Sequence, residues 1–426
     1  MQRALVLAER GRFTTKPNPV VGCVLAHGER VVGEGFHQRA GEAHAEVHAL
    51  EAAGADAKSA TAYVTLEPCG KTGRTPPCAD ALICAGVSRV VVACEDAHQH
   101  DGGAVERMRE AGIVVEHGLM RAAAREANIG FFSRVERGRP FVRVKLATSI
   151  DGRTALANGD SKWISCEASR HDVARWRARS GAILTGSGTV RADNPQMTVR
   201  MDDDACFEPP LRVVLDTGLA IPADSIIVNG EAPTLLVHDE DARVPSHFRQ
   251  QERLGLPAVK GRVDLAALMN ELAKRGINEV QVEAGATLAG ALFDAELADE
   301  LLLYQAPTLL GDAARPLLAG IDIHDMRERV DLDLLEVRQI GSDLRLRLRP
   351  RPPIFDDGDT FGEWLDGPDT EVDAYYAALG RKPGAVGYDD QDRYVRVRKD
   401  GSHEILSDPD LLNRERDDDP DSDRRG

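Results

Sequence analysis

Nowhere does the chain run for the roughly 20 uninterrupted apolar residues that a membrane-spanning helix needs, so nothing in it reads as a membrane protein. The apolar stretch of a signal peptide is missing as well, because Met1 leads directly into QRALVLAERG. Both absences predict a cytoplasmic protein with no membrane partner. Cysteine is sparse: seven residues, odd in number and widely scattered. That excludes a disulfide framework and suits reduced thiols. Cys23, Cys84, Cys94, Cys166 and Cys206 lie in or beside apolar segments and read as small structural hydrophobes. Basic charge is in deficit too, with 53 Lys and Arg against 70 Asp and Glu, for a formal net charge of −17. Phosphate backbones are bound by concentrated positive charge, so a nucleic-acid partner is disfavoured and any anionic ligand must be gripped by local basic groups.

What is present is enough apolar material for more than one core. With 426 residues, 42% hydrophobic and 29% charged, the chain predicts two domains and an extra segment. Strand and helix signals alternate from the start to about Arg349. PVVGCVLA and ERVVGEGF read as paired strands, AEVHALEAAG as a helix, TAYVTLEP as a strand, CADALICAG as a helix and SRVVVACE as a strand. That order describes an α/β layer structure. The polar stretch SRVERGRP reads as a connection and puts a boundary near Gly138. A second α/β unit follows, with EASRHDVARWRARS and VDLAALMNELAKRG as helices, GAILTG, LRVVLD and TLLVHD as strands, and LLEVRQI and DLRLRLR as a closing pair around Gly341-Ser342. From Arg351 prolines and acids take over, and the end, NRERDDDPDSDRRG, is nearly all charged, which predicts an appended, partly disordered tail. Within it DRYVRVRKDGSHEIL has the pattern of a hairpin turning at Asp400-Gly401. The predicted division is residues 1–138, 139–350 and 351–426.

The segments that carry chemistry are GEAHAEVHAL and TLEPCGKTGRTPPCADAL. His44 and Glu46 are expected at the start of a helix, Pro68-Cys69 at the close of a strand, and Cys78 at the entry to the next helix. One imidazole and two thiolates supply three ligands of a tetrahedral zinc and leave the fourth position for water, which is what a hydrolytic site requires. Glu46, beside a ligand but not itself one, suits a proton shuttle. The pattern His-x-Glu with Pro-Cys matches the signature of zinc nucleobase deaminases. Two other readings remain open here: a structural zinc drawing a fourth ligand from His37 or His48, and a core histidine beside buried cysteines.

The same motif with a long loop between Cys69 and Cys78, the entry KPNPVVGCV, and GRTPPCADALICAG together resemble the bifunctional riboflavin-biosynthesis family, a pyrimidine deaminase fused to a pyrimidine reductase. RPFVRVKLATSIDGRTA, GDSKWIS, AILTGSGTVRADNP and VEAGATLAGALF are similar to the family's reductase portion, so the resemblance covers about residues 1–350. It implies a cytidine-deaminase-like three-layer domain followed by a dihydrofolate-reductase-like α/β domain. It implies deamination of 2,5-diamino-6-(5-phosphoribosylamino)pyrimidin-4-one, then NADPH-dependent reduction of the ribosyl group to ribityl.

By resemblance, NADPH lies near Ala147, Trp163, Thr189, Asp193 and the turn Gly285, Ala286, Thr287, Leu288, Ala289 and Gly290, which follows a strand and opens a helix. The phosphorylated pyrimidine would meet Ser161, Arg177, Arg200 and Glu283. Arg177 and Arg200 can grip phosphate by paired hydrogen bonds, and the alternative for each is a solvated surface arginine. Lys145 and Asp193 would orient or protonate an opened ribosyl imine, or else form structural ion pairs. The chain departs from the family at Gly70-Lys71-Thr72, at Asp96-Ala97-His98-Gln99-His100, and at Ala284, where a second glycine is common and a methyl group would crowd the cofactor phosphate. His98 and His100 read as exposed loop histidines. Two further functions stay in view: a deaminase of another nucleotide with a non-catalytic second half, and a degenerate scaffold whose acidic tail recruits an unknown partner. The oligomeric state is left open, with a homo-oligomer allowed.

Overall fold

The computed structural model describes residues 1–71, 76–97, 103–201, 205–230 and 232–351, together with three short strands nearer the end, at 386–388, 394–397 and 403–405. Among the described residues the first half builds one five-stranded sheet. Strands β1 (Gly22–His27) and β2 (Arg30–Phe36) pair antiparallel across a two-residue turn, and β3 (Thr61–Val64), β4 (Arg89–Val92) and β5 (Val114–His117) continue it, parallel to one another, in the order β2-β1-β3-β4-β5. Helices α1 (Gln2–Ala8), α2 (Ala45–Ala53), α3 (Cys78–Cys84) and α4 (Ala104–Glu110) accompany it. Cys23, Leu25, Ala62, Val64, Leu82, Val90, Val92 and Met108 form the core between these elements.

One packing detail sets where α2 begins. Gly33 and Gly35 are two residues apart on β2 and so point to the same face of the sheet. A Cβ at Gly35 would collide with the Ala45 carbonyl and stand 2.7 Å from the His48 Cβ, and one at Gly33 would collide with the Ala49 carbonyl. The backbone of α2 therefore rests directly on the backbone of β2.

After β5 come α5 (Arg121–Ala127) and α6 (Ile129–Arg137). The stretch SRVER, expected as a connection, is helical: Phe131, Phe132 and Ser133 are buried, with Arg134 lying over the Phe131 ring and Arg137 donating back to the Ser133 hydroxyl. The helix stops at Gly138, whose φ of 69° is a conformation that glycine adopts without steric cost. Pro68-Cys69 also differs from expectation. It follows β3 by several residues instead of closing it.

The second half is a nine-stranded sheet among the described residues. Its strands are β6 (Phe141–Ser149), β7 (Ala182–Gly186), β8 (Leu211–Leu215), β9 (Thr234–Asp239), β10 (Glu252–Leu256), β11 (Glu279–Val282), β12 (Glu300–Ala306), β13 (Leu332–Ile340) and β14 (Asp343–Pro350), in the order β10-β9-β8-β7-β11-β6-β12-β14-β13. The first seven run parallel, and the hairpin β13–β14, turning at Gly341-Ser342, adds an antiparallel edge. Val142, Val144, Leu184, Val213, Leu235, Val280 and Val282 are buried in the sheet, which explains why these strands read as continuous apolar runs. Helices α7 (Glu167–Arg179), α8 (Ser187–Asp193), α9 (Leu265–Lys274) and α10 (Ala286–Asp294) connect them. From β6 the chain steps past the slot of β11 to β7 and outward to β10, then returns to fill that slot and crosses to β12. Crevices at such reversals, outside the carboxyl ends of parallel strands, hold ligands in open α/β sheets.

The halves meet through polar contacts. Glu126 of α5 takes Arg347 at 3.0 Å and Arg349 at 2.8 Å, and Arg134 of α6 donates to the Asn278 side chain at 2.6 Å. Beneath them Arg143, fully buried, bridges Glu279 at 2.8 Å and Glu300 at 2.7 Å while lying over the Trp176 ring. Beyond Arg351 the chain forms a separate unit, in which Val386–Tyr388, Tyr394–Val397 and His403–Ile405 pair as an antiparallel sheet. The expected hairpin pairing is present, while Asp400-Gly401 and most of the segment read as a disordered tail lie outside the described residues.

Candidate functional site

Three local arrangements bring the zinc ligands together. His44 is the residue immediately before α2, with Glu46 in its first turn; Cys78 is the first residue of α3; and Cys69 sits in the loop leading to it, tied back by Ala79 N–H donating to its carbonyl at 3.2 Å. His44 Nδ1 lies 3.2 Å from Cys78 Sγ and 3.5 Å from Cys69 Sγ, and all three donor atoms fall within 4.8 Å of one another. A tetrahedral zinc with bonds of about 2.0–2.3 Å sets its donors roughly 3.5–3.8 Å apart, so the set fits that ion. Nδ1 is the nitrogen that faces the thiols.

The two thiols pull each other's ionisation in opposite directions. Cys78 S–H, donating to the Cys69 sulfur, holds Cys69 down to about 4 against its burial, with the Cys78 backbone N–H adding a contact at 3.2 Å. Cys78 is itself pushed up, first by that hydrogen bond to Cys69, which needs its proton, then by burial and by the charges of Glu46 and Cys69. A dication is what such a pair lacks, and binding one would release that proton. Glu46 is 3% exposed, and burial raises its carboxyl to about 7. Its Oε2 is buried without a hydrogen-bond partner among the described residues. An orphaned carboxylate oxygen beside this donor set is a site for the proton of a water or substrate. His48, weighed above as a fourth ligand, is not in the cluster, and nor is His37.

His37 serves otherwise. Its Nδ1 meets the Ala43 carbonyl at 3.2 Å, and a carbonyl only accepts, so Nδ1 carries the proton and Nε2 accepts from the Asn18 amide at 3.1 Å. The His37 ring stands edge-on to His44, centroids 5.2 Å apart. The sequence suggested His37 only as a possible fourth ligand and gave no sign that Asn18 would partner it.

The second group of residues gathers in part. Arg177 and Glu283 are each other's partner, with Nε to Oε1 at 2.6 Å and Nη2 to Oε2 at 2.7 Å, and Arg177 Nη1 donates to the Thr198 carbonyl at 2.9 Å. Burial opposes the charge on Glu283, but Arg177 and Lys145 outweigh it and hold the carboxyl down to about 2. Lys145 is lowered by burial, against Glu283, which favours its charge. Gln281, unassigned from sequence, donates to Glu283 at 2.7 Å. Arg200 is exposed and lines a cleft of about 550 Å³ with Arg175, Arg338 and His171. Arg177 and Arg200 therefore have different surroundings, one locked in an ion pair and one open.

Gly285 is the residue before α10, at the end of β11, and Thr189 lies in the first turn of α8, at the end of the neighbouring β7. A Cβ at Gly285 or at Gly188 would meet nothing within 4 Å, so these two turns leave a cradle at the reversal of the sheet. The hydroxyls of Thr148 and Thr185, near the ends of β6 and β7, are buried without partners among the described residues. Open backbone and unanswered donors fit a phosphate-bearing cofactor. Ala289 and Gly290 turn inward instead, Ala289 into the main core and Gly290 against the Ala319 backbone. Ala286, Thr287 and Leu288 form the first turn of α10, and Ala284 packs at the edge of the core. Ala147 lies on β6 opposite Tyr304. Trp163 is 71% exposed beneath the Arg170 guanidinium; Ser161 is half-buried and Asp193 exposed. Thr72, His98, Gln99 and His100, where departures were noted, lie outside the described residues.

A three-donor metal centre beside a buried carboxylate on one sheet, and a ligand crevice on another, define a zinc-dependent deaminase joined to a second catalytic half. Residues 1–94 match the cytidine and deoxycytidylate deaminase zinc-binding region, and residues 140–346 match the RibD C-terminal domain. The riboflavin biosynthesis protein RibD of Escherichia coli K12 is 47% identical over 361 residues, 82% of this chain and 98% of that protein, and the Haemophilus influenzae RibD is 44% identical over 362 residues, 82% and 96%. Among solved structures, Acinetobacter baumannii RibD superposes with a TM-score of 0.77 at 42% identity, covering 82% of this chain and 98% of that one. A Thermotoga maritima diaminohydroxyphosphoribosylaminopyrimidine deaminase/5-amino-6-(5-phosphoribosylamino)uracil reductase does so with 0.72 at 31%, covering 82% and 97%. The chain belongs to the RibD family of bifunctional deaminase–reductases in riboflavin biosynthesis, with a cytidine-deaminase-like fold followed by a dihydrofolate-reductase-like one. Among the described residues no helix is long and apolar enough to cross a membrane.

Proposed function

We propose that residues 1–138 deaminate 2,5-diamino-6-(5-phosphoribosylamino)pyrimidin-4-one and that residues 139–350 reduce the product's ribosyl group with NADPH. The convergence of His44 Nδ1, Cys69 Sγ and Cys78 Sγ beside the unpartnered Glu46 Oε2 carries the first assignment. Zinc held by His44, Cys69 and Cys78 would supply a Lewis-acidic centre that acidifies a water. Glu46 would take a proton from the attacking water and pass it to the ring nitrogen, then carry the remaining hydroxyl proton of the adduct to the departing amine, so that water and amidine become carbonyl and ammonia. His44, Cys69 and Cys78 hold the centre and do not move protons.

In the second half, the turn from Gly285 to Leu288 and Thr189 would seat the cofactor phosphates, with Ala147, Trp163 and Asp193 along the nicotinamide side. Arg200 and Ser161 would meet the substrate's phosphate and ribose. Arg177 has its donors committed to Glu283 and Thr198, which favours a role in fixing Glu283 as an anion near Lys145 over a direct phosphate grip. A cytoplasmic location, and a tail beyond Arg351 that is dispensable for chemistry, belong to the same reading. The test is a coupled assay with the diaminopyrimidine phosphate that follows ammonia release and NADPH loss separately, together with metal analysis. One zinc per chain and both signals are expected; active protein without zinc would overturn the first assignment, and ammonia release without NADPH oxidation the second.

A further inference from the structure

Lys16, from the first half, reaches directly into the second. Its ammonium donates to three carbonyls of the second half: Ala178 at 2.7 Å and Ser180 at 2.9 Å, at the end of α7, and Glu208 at 3.0 Å. An ammonium has three donors, and all three are used. The neighbouring chain is pinned on both sides. Glu208 N–H donates to the Phe13 carbonyl at 2.9 Å, Arg39 meets the Glu208 carboxylate at 2.8 Å, and the Pro17 carbonyl accepts from the Asn278 amide at 2.8 Å. Residues 11–18 thus form a strap held by the second half.

The strap also reaches the zinc ligand. Asn18, two residues beyond Lys16, donates to His37 Nε2, and His37 in turn donates to the carbonyl of Ala43, the residue before His44, and packs edge-on against the His44 ring. At the strap's other end a Cβ on Gly11 would collide with the His37 carbonyl, so His37 is in contact with both ends. His37 is 2% exposed and has little freedom to adjust alone. Partners that orient a ligating histidine are worth about 10–100-fold in metal affinity.

We propose that Lys16 is a positioning residue that makes the orientation of His44 depend on the second half, through the strap, Asn18 and His37. The inference rests on the zinc-site reading above. Its test uses the full chain loaded with zinc and reads zinc release to a chromogenic chelator, which holds whichever pyrimidine the enzyme deaminates. Lys16→Met keeps the length of the side chain and removes the charge; we expect zinc release about tenfold faster, with Lys16→Arg restoring most of the loss. Asn18→Ala should accelerate release by a similar factor, and the double variant should be no faster than either single one, because both act along one path. Unchanged release in Lys16→Met, or effects of the two substitutions that multiply, would overturn the proposal even if the melting temperature fell. A wild type that holds zinc but releases no ammonia would count against the functional reading alone.

Discussion

Glu46 and Glu283 are the same side chain in two buried settings, and they ionise in opposite directions. Burial raises Glu46 to about 7, outweighing the opposing pull of its own backbone N–H and of nearby His44; Glu283 is held down to about 2, because Arg177 grips it with two hydrogen bonds and Lys145 adds its charge. Burial therefore does not decide what a carboxylate becomes. The counter-charge does. The first site keeps a group that can exchange its proton near neutrality, whereas the second keeps a fixed anion that can orient a polar ligand but is too acidic to work as a base.

The contrast breaks most visibly at Glu46. Glu46→Gln keeps shape and zinc while removing the proton carrier, so ammonia release should fall by about 10²–10⁴-fold, while NADPH oxidation with the deaminated ribosylaminouracil phosphate continues. Loss of both reactions in a folded, zinc-loaded protein would mean that the sites are not separate. Arg177→Ala should strike the other side. Removing one partner of a buried pair costs about 3–5 kcal/mol, so the second half should melt earlier and reduction should fall at least tenfold with ammonia release spared. Arg177→Lys should lie between, since lysine lacks the planar fork. If Arg177→Ala left melting and reduction unchanged, Glu283 would not need its counter-charge.

Acid sharpens the same comparison. Burial would raise Glu279 and Glu283, but their arginines hold both at about 2, below the ordinary 4.5. Their stabilisation is fully present above pH 4.5 and is lost as pH falls from there toward 2, by at most roughly 3 kcal/mol each. Fluorescence of Trp176, which lies against the Arg143 network, should report loosening in that window; a flat signal down to pH 2 would contradict it. The smallest effect is expected from truncation after Pro350, which should leave both activities within about twofold of the full chain, as catalysis is assigned to residues 1–350. A larger loss in a soluble truncation would give the tail a part in one site.

The zinc centre was legible because two of its ligands sit at helix starts, His44 just before α2 and Cys78 opening α3, and the third, Cys69, follows a proline in the Pro-Cys pair, although its place in a loop beyond β3 was not foreseen. The parallel core strands were legible as continuous apolar runs. What escaped depends on distant partners. Arg177 resembled a phosphate ligand, and only the fold shows that Glu283, over a hundred residues on, already occupies two of its donors. Nothing in KPNP says that Lys16 meets Ala178 and Ser180. The helix through SRVER was hidden by its composition, since its apolar residues, Ile129, Phe131, Phe132 and Val135, lie mostly ahead of that stretch, which is itself largely polar. The edge strand β5, with Val114 exposed, lacked the apolar run that marked its neighbours.

The bare backbone contact between β2 and α2 has a consequence for anyone varying this enzyme. At Gly35 even a single methyl group must displace the start of the helix that carries His44, and at Gly33 the same addition lifts its middle. A mutational library across residues 31–36 should therefore tolerate change at Val31, Val32 and Glu34 while admitting one letter at 33 and 35. Those two positions would impoverish the deaminase without touching metal, substrate or any polar group, and a screen that scores only chemistry-bearing side chains would pass over the tightest constraint in the site.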